Sequence, residues 1–144
     1  MQKNKLQTTF SKKHTPQSPT PSTGSIGPQQ IAGYSAEKFV AEHLELVGFT
    51  ILERNYKKRY GEIDIIAQKD SLLIFVEVKM RQDAYFDPAE LVTPAKQRRI
   101  LLVAQEYIDR KTNGIMDCRF DVALVEWAAG EPIITYLPDA FGEP

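Results

Sequence analysis

The chain has 144 residues, 42% of them apolar and 26% charged, with a formal net charge of −1. That size suits one globular domain plus a tail. The single cysteine, Cys118, excludes an intrachain disulfide and a cysteine-built zinc cluster, and His14 and His43 lie too far apart in sequence to suggest a histidine metal site. No run of about 18 apolar residues occurs, so no membrane span is expected. The basic N-terminus lacks the apolar stretch of a secretory signal, so the expected location is the cytoplasm.

Charge is unevenly spread. Residues 1–30 carry Lys3, Lys5, Lys12 and Lys13 and no acid, which leaves +4 on this segment and −5 on the rest. The segment is rich in Gln, Ser, Thr and Pro and has no apolar periodicity. Such a composition cannot bury enough surface to offset chain entropy, and we expect a disordered basic tail over 1–30 followed by a folded domain over 31–144.

From residue 31 the pattern changes. Ala36, Phe39, Val40, His43, Leu44 and Val47 recur at helical spacing, with Ser35 as N-cap and Gly48 as the stop. Residues 49–56 read as a first strand and 62–67 as a second. Residues 68–71 form a turn, and 72–80 a third strand, apolar on both faces until Glu77. Asp87-Pro88-Ala89-Glu90 has the form of a capping box, and Thr93-Pro94 repeats the start signal. A long helix then runs to about Lys111, with Ile100, Val103, Ala104, Tyr107 and Ile108 on its apolar face. Asn113-Gly114 ends it, and strands follow over 119–127 and 133–137. The pattern is an α/β domain of order α-β-β-β-α-β-β. His43, Tyr107, Cys118 and Trp127 read as packing residues, and Arg119 and Asp121 as a structural pair on one strand face.

The chemistry concentrates between Gly61 and Arg81. In a hairpin the registers that pair Asp64 with Phe75 or with Glu77 both put Glu62, Asp64, Glu77 and Lys79 on one face. Like charges across strands destabilise, so this cluster needs a counter-charge. Lys79 supplies one, and a magnesium (or manganese) ion held by Asp64, Glu77 and a backbone carbonyl would supply more. A surface hairpin with a solvated charged face is the alternative. The central character of the strand holding Glu77 favours a cleft.

Glu37 sits at the edge of the first helix's apolar stripe, where it either reaches that cleft or stabilises the helix start. Arg54, Lys57, Lys58 and Arg59, with Tyr56 and Tyr60 interleaved, and Lys96, Arg98 and Arg99 are either a positive track for phosphates or solubilising surface.

Residues Gly61-Glu-Ile-Asp-Ile-Ile-Ala67 and Phe75-Val-Glu-Val-Lys-Met-Arg81 resemble the YraN-like family of uncharacterised proteins. So do Gly33-x-x-Ala-Glu37, Gly48-Phe49, Arg54-Asn55, Lys96-Gln97-x-Arg99 and Arg119-Phe120-Asp121, over about residues 33–141. That family is similar to the PD-(D/E)XK nuclease superfamily and to archaeal Holliday-junction resolvases. The resemblance implies a restriction-endonuclease-like core, a mixed sheet flanked by helices. It also implies Asp64 as the first metal-binding acid, Glu77 and Lys79 as the Glu-x-Lys pair, and Glu37 as the acid that completes the site. Ile63 stands where the superfamily often has proline. The implied activity is metal-dependent hydrolysis of phosphodiester bonds in DNA, at branched or structured sites, by a homodimer. A noncatalytic nucleic-acid-binding module on the same fold is the competing expectation.

Overall fold

The run Leu72–Val76 is too apolar on both faces for an edge strand, and the structure places it in the middle of a sheet covered on both sides. The computed structural model describes residues 6–9, 28–80, 91–113 and 116–142. Its elements are β1 (Leu6–Thr9), α1 (Pro28–Leu46), β2 (Thr50–Lys58), β3 (Gly61–Lys69), β4 (Leu72–Met80), α2 (Pro94–Lys111), β5 (Asp117–Ala128) and β6 (Glu131–Phe141). They form one six-stranded sheet in the order β1-β6-β5-β4-β3-β2. All neighbours are antiparallel except β4 and β5, which run parallel. A parallel pair needs a crossover, and α2 lies on that connection. The α/β class and the order α-β-β-β-α-β-β hold from residue 28 onward.

Each sheet face packs one helix. On one side Ala36, Val40, Ala41 and Leu44 of α1 meet Ile65, Ala67, Ile74, Val76, Ala123 and Val125. On the other Ile100, Val103, Ala104 and Tyr107 of α2 meet Ile63, Ile66, Leu73, Phe75, Val122 and Leu124. The apolar face expected for the long helix is the buried one. Its start is fixed by Thr93, whose Oγ1 accepts from the Lys96 N–H at 3.2 Å, with Pro94 at the first helical position.

Several expectations need correction. Helix α1 begins at Pro28, so Ser35 lies inside it and is not its cap. Proline is well suited to a first turn because its missing N–H would have no partner there. The segment Leu6–Thr9, placed in the disordered tail by composition, pairs with β6, Leu6 opposite Tyr136 and Thr9 opposite Ile133. A sheet edge offers backbone partners that composition does not register. The helix end at Gly48 holds: its φ of +101° suits glycine, and Phe49 N–H donates to the Leu44 carbonyl at 2.9 Å. The 87–90 capping box lies outside the described residues. His43 and Tyr107 are buried. Trp127 packs edge-on against Phe39 yet stays 40% exposed, and Cys118, at the start of β5, is exposed.

The Arg119–Asp121 pair is structural, as its strand-face spacing implies. Asp121 is fully buried and accepts from Arg119 Nε at 2.8 Å, Arg119 Nη2 at 2.9 Å, the Tyr136 hydroxyl at 2.5 Å and the Asp139 N–H at 2.9 Å. Burial, then the Asp121 charge, pushes the Tyr136 hydroxyl far up, so it remains a donor. Asp121→Ala strands a guanidinium and a buried hydroxyl at once. Urea unfolding should show a loss of about 3–5 kcal/mol; a loss within 1 kcal/mol, an ordinary surface effect, contradicts this account.

Candidate metal centre

Strand β3 changes faces at Asp64. Ile63 packs toward α2 and Ile65 toward α1, although residues two apart on a regular strand share a face. The neighbouring strand changes with it. Tyr56 opposes Ile63 and packs on the α2 side, whereas Arg54 opposes Ile65 and lies near Glu37 of α1. Between them Asn55 has a φ of +51°, a conformation that asparagine tolerates better than most residues.

The same point ends the β3–β4 ladder. Its pairs run from Lys69 opposite Leu72 to Ile65 opposite Val76, the register that brings Asp64 opposite Glu77. There the Asp64 side chain replaces the backbone, and Oδ2 accepts the Val78 N–H at 2.8 Å. Strand β4 stays paired to β5 as far as Met80 opposite Val125. A cleft therefore opens between β3 and β4 at the carboxyl end of β4, beside the first turn of α2.

Two carboxylates lie buried in this cleft, Asp64 at 9% and Glu77 at 4% exposure. Lys96 donates to Glu77 Oε1, and Lys79 Nζ lies 3.6 Å from the same oxygen. Glu77 Oε2 is buried and, among the described residues, has no hydrogen-bond partner. An unpaired buried carboxylate oxygen is costly, and a cation there would satisfy it. Burial, then the Glu77 and Glu37 charges, pushes the Asp64 carboxyl up to about 8 against the Val78 N–H and Lys96. Burial opposes the charge on Lys96, but the hydrogen bond and charge of Glu77 outweigh it and raise its pKa.

Glu37 stands back from this pair. It is bonded to Asn55, and burial raises its pKa against that bond and the Arg54 charge. It still acts electrostatically on Asp64. Among the described residues, no three His, Cys, Asp or Glu side chains converge as a metal-holding group. The donor set is thus two acids. It suits magnesium, which is commonly held by one or two carboxylates and takes its other oxygens from water and phosphate.

Glu62 does not join the site. It is exposed, 3.9 Å from Lys57, because the face change at Asp64 breaks the alternation that grouped them. The basic residues also divide. Lys58 reaches Glu106 at 3.5 Å, and Arg98 is exposed on α2. Arg59, Lys96 and Arg99 instead line one groove with Tyr60, Gly61 and Glu62. The contact of Lys96 with Glu77 is one that the sequence reading, which gives Lys96 to phosphate, does not contain. Its signal is the lysine's position in the first turn after Thr93-Pro94, but only the packing of α2 shows that this turn crosses Glu77.

The profile of "Uncharacterised protein family UPF0102" matches residues 36–125, which include Glu37, Asp64, Glu77, Lys79 and Lys96. The UPF0102 protein of Dictyoglomus turgidum is 43% identical over 112 residues, 76% of this chain and 95% of that protein. That of Dictyoglomus thermophilum is 45% identical over the same shares, and that of Rhodococcus opacus is 41% identical over 76% and 94%.

The raised Asp64 carboxyl has a sign that can be measured. An exposed aspartate in the unfolded chain titrates near 3.8, whereas the folded group titrates at about 8. Its stabilising contribution is complete below the lower value and is lost as pH rises through the upper one. Without divalent ions, wild type should therefore lose stability relative to Asp64→Asn between about pH 4 and pH 8, read as the difference in Tm. A difference that does not change with pH contradicts the assignment.

Proposed function

The chain belongs to family UPF0102, and on that premise we propose that it is a divalent-metal-dependent phosphodiesterase acting on nucleic acid. The observation that carries this reading is the buried Glu77 Oε2 beside Asp64, unpaired among the described residues, with two lysine ammonium groups around the same carboxylate.

Asp64 and Glu77 would hold Mg²⁺ or Mn²⁺, with Glu37 supporting through water. Bound there, the ion supplies Lewis-acid polarisation of a phosphate oxygen and a more acidic water. The protein's own groups do the rest. The Val78 N–H fixes the Asp64 carboxylate, so its orientation is set before substrate arrives. Lys79 would orient the attacking water or stabilise charge developing on the phosphate. Lys96 sits at the helix N-terminus, where backbone N–H groups favour an anion, and can turn from Glu77 to the scissile phosphate. DNA, cut at branched or structured sites by a homodimer, is the substrate the sequence resemblance favours.

One observation supports a second reading, a noncatalytic nucleic-acid-binding module. Lys96 already balances Glu77 with no ion required. The two readings separate on metal and on Asp64.

Labelled single-stranded, duplex, forked and four-way-junction DNA should be cut in Mg²⁺ or Mn²⁺. Asp64→Ala and Lys79→Ala should each lower the rate on the order of 100-fold or more, the scale for removing one preorganised charge-stabilising group. No cleavage across the panel, or undiminished cleavage by both variants, contradicts the enzyme. Salt-dependent binding that survives Asp64→Ala, without cleavage, supports the binding module.

A further inference from the structure

The groove beside the carboxylates has a volume of about 530 Å³ and is lined by Arg59, Tyr60, Gly61, Glu62, Lys96 and Arg99. Its walls come from the β2–β3 turn and the first turns of α2. Gly61 sets their spacing. A Cβ there would meet Val103 Cγ2 at 3.2 Å and Arg99 Cβ at 3.3 Å, so a side chain at this position would push α2 back by a few tenths of an ångström. Three cations face one carboxylate, and that carboxylate, Glu62, already lies 3.9 Å from Lys57. Tyr60 is 42% exposed, and its hydroxyl donates to Glu106 on α2. Lys96 belongs both to the groove and to the Glu77 site, so whatever fills the groove is led to the carboxylates.

We propose that this groove seats one single strand of nucleic acid, with backbone phosphates on Arg59 and Arg99 and an unstacked base on the Tyr60 ring. The proposal rests on the phosphodiesterase reading and narrows it to a substrate with a single-stranded or frayed segment. Shape and chemistry both point this way. The volume falls in the range of about 300–1,000 Å³ typical of small-ligand sites, room for one or two nucleotide units. The convex face of a duplex does not enter such a recess. An exposed ring beside guanidinium groups is a stacking platform that needs an unpaired base and tolerates any sequence. A duplex, whose bases are stacked internally, gains only the charge contacts.

The test is fluorescence anisotropy with the full chain, in Ca²⁺ in place of Mg²⁺, using a short labelled oligothymidylate and a duplex of the same length. The single strand should bind more tightly. Tyr60→Ala should weaken it on the order of tenfold, whereas Tyr60→Phe, which keeps the ring, should stay within about twofold. The Arg59→Ala, Arg99→Ala double variant should reduce the salt slope by about 1.4, two phosphate contacts on a single strand. Thermal melts show that each variant is folded. Equal or tighter duplex binding, or equal effects of Tyr60→Phe and Tyr60→Ala, overturns the proposal and leaves the phosphodiesterase reading standing. Failure to bind either nucleic acid overturns both.

Discussion

One hydrogen bond shapes the centre of this protein: the Val78 N–H donating to the Asp64 carboxylate at 2.8 Å. In a regular hairpin that N–H belongs to the ladder. Here a side chain takes it, so the two strands part without leaving a buried donor unpaired. The consequences spread from this point. Strand β3 turns its next residue to the opposite face, Asn55 in β2 takes a positive φ beside it, and β4 continues alone alongside β5. The cleft is a controlled break in a sheet whose remaining pairs hold it open.

The break explains how two acids come to be buried together. Burial of like charges is unfavourable unless partners compensate. Asp64 has a backbone donor, and Glu77 has Lys96 and Lys79 on one oxygen. The other oxygen has no hydrogen-bond partner among the described residues. Elsewhere the fold satisfies its buried acid completely, since Asp121 has four donors and none is spare. The contrast between these two carboxylates separates an acid whose oxygens the fold satisfies from one that keeps an oxygen open among the described residues, which is what the proposed metal site requires.

Much of this was legible in the residues. The apolar run before Glu77 marked a central strand, strand parity allowed the observed register, and the spacing of Arg119 and Asp121 marked a pair. The rest depended on tertiary facts that local pattern does not carry. Parity grouped Glu62 with Asp64 because it assumed unbroken alternation, and Asn55, the residue best suited to the irregular backbone, was read only as part of a motif. Lys96 reads from its sequence as a phosphate contact, and its bond to Glu77 is not legible because nothing local shows that α2 starts against β4. Leu6–Thr9 was assigned by composition, whereas its pairing is set by the open edge of β6.

In the proposed function, the Asp64–Glu77 pair would hold one divalent cation. Electron paramagnetic resonance during a Mn²⁺ titration of the purified chain counts bound ions directly. One saturable site per chain is expected, competed by Mg²⁺ and lost in both Asp64→Asn and Glu77→Gln. No saturable Mn²⁺ binding, or binding that both variants retain unchanged, would contradict it.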